Sequence, residues 1–465
     1  MPPAKGARRH KLYHVVLGQS NVDANKNKFY RLEIWTHKKK AYLYTLWGRI
    51  GTKGQSKTVH LTLPAAIKAF KRTFRTKTGH PWADDDSIYS IGGKGKYVPI
   101  QVSVKSTKQT PVKATAEHLH EDTRAVVKRI FQECKGWTKK QLHVSFETAE
   151  IATPLGPLDG AQLRKGGEVL RLLGQLVPAS DFVYEAGLSA SGQTVHHYKK
   201  APPPSAAALQ QISELTSRYF SIIPHKLGAK KPPLLKTNIA LGRELSLLQQ
   251  LQDMNRLLLR DSQALRTKDV HRQYASLGCT IAPVDPGSAE FRKMGKQVQP
   301  LQLRRLFRVR RPEESDAFHK DKNIRVLFHG SRMHNWLGLL SKGLLLPAQV
   351  EATGVALTDS GWLGRGLYFG DHETAALYAS KGAGKTAYIL ACQVAMGRIK
   401  RTRELDQSLT AAPPGYDSCH GVKLNKDKPS QFAQDEFVIY ENNRQRMTHL
   451  LEIEGGKAGF YAANV

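Results

Sequence analysis

The stretch Val326-Leu327-Phe328-His329-Gly330-Ser331-Arg332 decides how this chain is read. An apolar run ends in an imidazole, a glycine, a hydroxyl and a guanidinium. That pattern predicts a buried strand opening into a loop that carries polar groups. Gly330 lets a ligand approach the backbone closely, and its N–H and C=O can pair with a planar amide. Two further pieces follow: Gly364-Arg365-Gly366-Leu367-Tyr368-Phe369 and Asp435-Glu436-Phe437-Val438-Ile439-Tyr440. Each predicts a short strand with a polar or aromatic group near one end. Taken singly, each has a plain structural alternative. A His beside Gly is more often structural than functional. A Tyr in an aliphatic strand is usually core, and a Glu at a strand start is usually solvated or a cap.

Their order and spacing are more specific than any one of them. Together they resemble the His–Tyr–Glu signature of the poly(ADP-ribose) polymerase catalytic domain. The resemblance continues through Asn335 and Gly338-Leu339-Leu340-Ser341-Lys342-Gly343-Leu344. It extends to Arg446-Met447-Thr448-His449-Leu450-Leu451-Glu452-Ile453.

Composition bounds the rest. A chain of 465 residues predicts about two to four domains with ample core. The net charge is +32, and residues 1–110 hold 22 Lys/Arg against 5 Asp/Glu. So +17 of the +32 sits in under a quarter of the chain, far more than solubility needs, and a polyanion partner is expected. The four cysteines, Cys134, Cys279, Cys392 and Cys419, form no Cys-x-x-Cys pair, so no zinc finger is expected. Their wide spacing fits a reducing compartment. No apolar run reaches membrane-spanning length. Met1-Pro2-Pro3-Ala4-Lys5 opens no apolar segment of the secretory kind.

In chain order, residues 1–11 read as a basic arm and residues 12–100 as a small β-rich domain. Phe29–Trp35 and Ala41–Trp47 alternate as strands, Gly48–Gly54 is a turn, and Leu63–Phe74 has helical spacing with a basic face of Lys68, Lys71, Arg72 and Arg75. Trp47-Gly48-Arg49, with Gly51 after it and Trp82 closing the segment, resembles a WGR domain. That resemblance implies binding to DNA strand breaks at 5′-phosphorylated ends or nicks. Arg49 would donate bidentate bonds to phosphate, Trp47 would stack on a terminal sugar or base, and Lys53 with its neighbours would add the salt-dependent part. The plain alternative for Trp47 is core packing.

Residues 101–115 read as a linker. Residues 116–262 read as an all-α bundle, with one long helix over about Ile239–Leu259. Thr153–Leu158 and Ser217–His225 resemble stretches of the family's helical regulatory domain, which implies a restraint on NAD binding that DNA engagement loosens. Spacing alone says only a helical bundle, and a scaffold or protein-interaction module is the other reading. Residues 263–465 alternate strands and loops with few helices: Ile324–Phe328, Gly366–Phe369, Ala387–Met396, Glu436–Tyr440 and Thr448–Ile453 are strands, and Gly338–Lys342 and Thr374–Ser380 short helices. The fold class expected is multidomain α+β, ending in an ADP-ribosyltransferase domain of two packed sheets.

The resemblance implies NAD as a consumed substrate and no metal. It assigns the nicotinamide amide to Gly330 and Ser331, ring stacking to Tyr368 and Tyr378, and the adenosine ribose to His329. It assigns the 2′-hydroxyl of the nicotinamide ribose to Glu436, and places Arg332 and Asn335 in the NAD site. The plain alternative for Tyr378 is helix packing beside Ala375. Protein acceptors, the chain itself included, and a nuclear location are implied too.

Four departures from the family pattern stand out. Ala375 replaces a usual Ser, with Thr374 adjacent. Trp362 stands where chain-extending members carry Met. An Arg often found near Leu345 is missing. The segment Pro413–Gln434 resembles a shortened acceptor loop, like that of the family's mono(ADP-ribosyl)ating DNA-dependent member. Mono or short-chain transfer is therefore expected, with a catalytically weak DNA-end adaptor as the alternative.

Overall fold

The computed structural model describes residues 6–85, 96–100, 118–142, 144–146, 151–153, 155–158, 160–178, 182–188, 194–200, 202–319, 323–352, 361–381, 384–425 and 428–455. The linker expected over 101–115 lies outside them.

From the N-terminus the chain runs β1 (Arg8–Asn21), β2 (Lys26–His37), β3 (Lys40–Arg49), β4 (Gln55–Leu61), α1 (Leu63–Thr78) and β5 (Val98–Ile100). Next come α2 (Glu121–Leu142), β6 (Ile151–Thr153), β7 (Gly156–Leu158), α3 (Gly160–Gly174), β8 (Phe182–Leu188), β9 (Thr194–Lys200), α4 (Ala206–Ile222) and α5 (Asn238–Arg260). The C-terminal part holds α6 (Val270–Leu277), β10 (Thr280–Pro283), α7 (Ala289–Gln297), β11 (Gln302–Arg310), α8 (Pro312–Ala317) and β12 (Ile324–Gly330). It continues through α9 (Trp336–Lys342), α10 (Pro347–Glu351), β13 (Leu367–Phe369), α11 (His372–Tyr378) and β14 (Ala387–Ala395). It ends with β15 (Ile399–Thr402), β16 (Ser418–Gly421), β17 (Glu436–Ile439) and β18 (Gln445–Glu454).

The chain divides into two compact units, one of residues 1–108, 139–181 and 200–248 and one of 109–138, 182–199 and 249–465. The segment expected to form one helical bundle is therefore shared. α2 lies mostly in the second unit, α3 and α4 in the first, and α5 crosses the division.

In the first unit a sheet of order β4-β3-β2-β1-β5 is built from antiparallel pairs. Alternation puts Val15, Leu17, Leu32, Ile34 and Leu43 on one face, where Ala66, Phe70 and Phe74 of α1 cover them. Val16, Phe29 and Ile100 fill the other face with Ile50 and Leu155. α4 is pinned to β1 by two hydroxyls: Ser221 Oγ accepts from Ser20 N at 2.9 Å and Ser217 Oγ from Val22 N at 3.0 Å.

In the second unit a sheet of order β10-β11-β18-β14-β12 accompanies one of order β13-β17-β16-β15. The first is antiparallel throughout; in the second only β15 and β16 run parallel. Residues Ile389, Ala391, Leu451 and Ile453 of the central strands pack with Phe328, Ala375 and Ala376 in a buried core.

Three expectations are corrected. β1 begins at Arg8, inside the expected arm, because Arg8 and Arg9 pair with Thr36 and Trp35 of β2. The helical stretch also holds two short two-stranded sheets, β6–β7 and β8–β9. Among the described residues of 263–465 there are six α-helices, α6 to α11, rather than few. The longest of these, α7, has 9 residues, too few for a helical period to show in the sequence.

Candidate active site and nucleic-acid interface

β12 pairs with β14 along its whole length, from Ile324 opposite Ala395 to Gly330 opposite Ile389. Its end is joined to the second sheet by a bridge between Phe328 and Gly370, each N–H donating to the other's carbonyl at 2.9 Å. Gly370 directly follows β13, and β13 pairs with β17: Tyr368 opposite Val438 and Phe369 opposite Phe437. The ends of β12 and β13 and the start of β17 therefore lie side by side. Residues opposite each other share a face, so Tyr368, Val438 and Glu436 present their side chains on one side of the sheet.

His329 is half-buried, and its Nδ1 lies 3.0 Å from the backbone carbonyl of Tyr368. A carbonyl only accepts, so Nδ1 carries the proton and Nε2 of the neutral ring is left as an acceptor. Burial lowers the His329 pKa below its ordinary value, and the carbonyl only partly offsets this. The ring is thus a neutral acceptor to which a hydroxyl can donate.

At Gly330 an added Cβ would overlap the carbonyl oxygen of Ala375 in α11. Ser331 Oγ accepts from Asn335 Nδ2 at 3.0 Å, so Asn335 orients the hydroxyl expected to meet the nicotinamide amide. Arg332 follows in extended backbone. Tyr368 is fixed at its far end: its hydroxyl donates to Gly364 O at 2.8 Å and accepts from Leu363 N at 2.9 Å. Its ring face is thereby locked at a single angle. Glu436 is half-buried at the first position of β17, opposite Gly421 of β16. Tyr378 ends α11 with 47% of its surface exposed. The fully buried part of α11 is Thr374, Ala375, Ala376 and Leu377, and Tyr378 lies outside it. Thr374 is buried with no partner for its hydroxyl.

Trp362 packs against Phe432 of the Pro413–Gln434 segment. Its ring lies 6.0 Å from that of Phe432, in a cluster with Leu363, Cys419, Val438 and Tyr440. Phe432 is fully buried, and a Cβ on Gly421 would collide with its ring, so the glycine is what lets the loop fold down onto β16.

Sequence reading missed the side chains that hold the segment after Arg332. Gln250 of α5 donates to His334 O at 2.9 Å. Asp253, one turn on, pairs with Lys342 of α9 at 2.8 Å. Trp137 of α2 stacks on His334 with ring centres 3.9 Å apart and planes 9° from parallel. Burial drives the His334 pKa down to about 3, so that stack is between neutral rings. The resemblance to a helical regulatory domain was the one sequence signal bearing on these contacts. No group of three or more metal-ligating side chains occurs among the described residues.

In the first unit Trp47 is half-exposed and stacked on Tyr30, ring centres 6.1 Å apart at 20°. Lys77 of α1 places its ammonium 4.6 Å from the centre of the Tyr30 ring. Lys28 and Lys57, both exposed, stand opposite Arg49 and Thr45 and so share the Trp47 face. Lys53 is exposed in the turn that follows β3.

The Arg49 guanidinium is bonded to protein in this structure. Its Nη1 donates to Asn25 O at 2.9 Å. Its Nη2 donates to Asn25 Oδ1 at 2.7 Å and to Lys230 O at 2.9 Å, and its Nε donates to Gly228 O. Four of its five N–H donors are engaged, so the bidentate phosphate grip is not free in this arrangement. Arg49 instead anchors the loop after α4. The same loop is held by Asn27, whose Nδ2 donates to His225 O at 3.0 Å. His225 in turn is buried with its Nε2 3.1 Å from Glu244 of α5 and its Nδ1 2.8 Å from Ile223 O. Burial opposes a charge on His225, but the Glu244 carboxylate outweighs it, and the pKa is raised. Tyr219 OH donates to the same carboxylate at 2.9 Å.

Three protein-family models match the chain. They are the WGR domain over residues 13–88, the poly(ADP-ribose) polymerase regulatory domain over 118–274 and the poly(ADP-ribose) polymerase catalytic domain over 288–455. Protein mono-ADP-ribosyltransferase PARP4 of Mus musculus is 36% identical over 252 residues, 52% of this chain and 13% of that protein. Poly(ADP-ribose) polymerase 2 of Arabidopsis thaliana is 27% identical over 466 residues, 92% of this chain and 67% of that protein. Protein mono-ADP-ribosyltransferase PARP3 of Homo sapiens is 24% identical over 510 residues, 96% of this chain and 89% of that protein. The chain therefore spans about an eighth of the first relative and most of the other two.

Proposed function

Because the chain belongs to the poly(ADP-ribose) polymerase family, we propose that it transfers ADP-ribose from NAD to proteins, itself included, when DNA strand breaks engage its N-terminal domain. The observation that carries this reading is the neutral, acceptor-bearing His329 beside Tyr368, with Glu436 on the Tyr368 face of the adjoining strand. Nicotinamide sits between the Gly330 backbone, the Ser331 hydroxyl and the Tyr368 ring, with exposed Tyr378 closing over it. Arg332 lies at the pyrophosphate side and His329 accepts from the adenosine ribose. The bond from nicotinamide nitrogen to ribose C1′ then breaks. Nicotinamide leaves with the bonding pair, and the Glu436 carboxylate, bonded to the 2′-hydroxyl, stabilises the cation left on the sugar. An acceptor oxygen adds to C1′ and gives up its proton, to Glu436 or to water.

Two observations favour mono or short-chain products. Phe432 pins the loop onto β16, and Trp362 fills the space beside it. By the family resemblance, this is the side on which an acceptor ADP-ribose chain would enter. Restraint by the helices is supported by Gln250, Asp253 and Trp137, which grip residues 334–342 just past the NAD loop. The α5 helix that carries Gln250 and Asp253 also carries Glu244, the partner of the loop that Arg49 anchors. A DNA-responsive enzyme of this kind acts in the nucleus, in DNA repair.

The test is transfer from labelled NAD, with and without nicked duplex bearing a 5′-phosphate, resolved on a gel. A DNA-dependent sharp band is expected. A DNA-dependent smear would overturn the chain-length reading alone. Equal labelling without DNA would remove the break dependence. DNA binding with no labelling would leave a DNA-end adaptor.

A further inference from the structure

α1 carries five cations, Lys68, Lys71, Arg72, Arg75 and Lys77, and no acidic residue. Lys68, Lys71, Arg72 and Arg75 stand three, four and seven residues apart, so they share one face of the helix. All four are exposed, and the opposite face, Ala66, Phe70 and Phe74, is buried. No carboxylate pairs with any of the four among the described residues. A solvated helix face normally mixes signs and pairs them one turn apart. Here four like charges lie within about 10 Å along the helix axis and repel one another. Such a stripe is stabilised when an anion lies along it.

The aromatic face described above lies on the sheet side of the same helix. In the last turn of α1, Lys77 turns toward the sheet, its ammonium over Tyr30, and Tyr30 stacks on Trp47. Exposed Lys57 and Lys28 flank that pair on the same side of the sheet.

We propose that the exposed face of α1 is a second nucleic-acid contact, a track for the phosphodiester backbone of the duplex that flanks a break. Trp47 takes the terminus, and α1 reads no sequence: it supplies affinity and holds the flanking duplex in one direction. An acidic protein fits less well. A protein interface is anchored by aromatic or aliphatic side chains, and the four stripe residues are all cations. This inference rests on reading the N-terminal domain as a sensor of DNA ends.

The test uses the full chain and fluorescence anisotropy with two probes: a 5′-phosphorylated duplex with a free end, and the same duplex closed by hairpins. The variant is Lys68→Gln, Lys71→Gln, Arg72→Gln and Arg75→Gln together. Gln keeps helix propensity, and a thermal melt confirms the fold. Lys71→Gln with Arg75→Gln is the milder second variant. Each lost phosphate contact lowers the slope of log affinity against log salt by about 0.9, so the slope should fall by about 3 to 4 in the full variant and by about half that in the milder one. Preference for the free end should survive in both. Trp47→Ala should do the reverse, losing end preference and keeping the slope. An unchanged slope in a folded variant would overturn the proposal. So would an equal weakening toward poly-glutamate, which would point to an acidic protein instead. If the unaltered chain showed no preference for the free end, the break-sensing reading would fail, while a lowered slope would still support the track on α1.

Discussion

The carbonyl oxygen of Ala375 occupies the space that a side chain at Gly330 would need. The two residues sit on α11 and β12, and their closeness brings the helix backbone against the end of the strand. Gly330 is required here by contact with the protein itself, as well as by any ligand. Gly330→Ala should push α11 away, destabilise the domain by about 1–3 kcal/mol and raise the KM for NAD. Thermal unfolding and NAD titration check this. A variant with unaltered melting and NAD affinity would show that the two backbones are not in fact apposed.

His329 should make NAD binding sensitive to acid. Its pKa is lowered from 6.5, so the neutral acceptor form is complete above that value and is lost as pH falls through the lowered one. Protonated, Nε2 becomes a donor and no longer accepts from a ribose hydroxyl. The KM for NAD should be flat above pH 6.5 and rise below it, with kcat less affected. A KM independent of pH down to the unfolding limit would remove His329 from the ribose.

Glu436→Gln keeps the size of the side chain and one acceptor while removing the charge. Transfer should fall by about two to three orders of magnitude with NAD still bound, because charge stabilisation of the ribosyl cation is lost and substrate binding is not. Loss of NAD binding itself would mean that Glu436 holds the ground state.

Arg49→Ala should act through the loop after α4. Four bonds to Asn25, Gly228 and Lys230 disappear together, which should lower the stability of the first unit by about 1–3 kcal/mol. DNA affinity should change less than the stimulation of transfer by DNA, because most of the guanidinium donors face protein. A large loss of affinity with stimulation intact would restore Arg49 to the phosphate.

His225 predicts a stability loss in base. Its pKa is raised from 6.5, so the pair with Glu244 is complete below that value and is lost as pH rises through the raised one. The melting temperature of the unaltered chain should drop across that interval, and His225→Gln should flatten the drop. Parallel pH profiles for the two chains would contradict the assignment.

How much of this was legible in the sequence depended on range. His329, Tyr368 and Glu436 stand in short apolar runs whose strand character shows locally, and their order along the chain matched a known pattern. The tautomer of His329 did not show, because it is set by a carbonyl 39 residues away. Arg49 was assigned from its neighbours Trp47 and Gly48, yet its partners Gly228 and Lys230 lie about 180 residues on. Tyr30 and Lys77 join Trp47 only through strand register and helix docking, which no local pattern encodes. The contacts of Gln250, Asp253 and Trp137 belong to the same class. So does the pinning of Phe432 by Gly421, since a glycine that ends a strand reads as a turn until its neighbour is known.

If NAD is cleaved at the Glu436 site in response to DNA breaks, release of nicotinamide should report it, measured for the unaltered chain and for Glu436→Gln, each with and without nicked 5′-phosphorylated duplex. Fast release is expected only from the unaltered chain with DNA. Release that ignores the DNA, or that survives in Glu436→Gln, would contradict it.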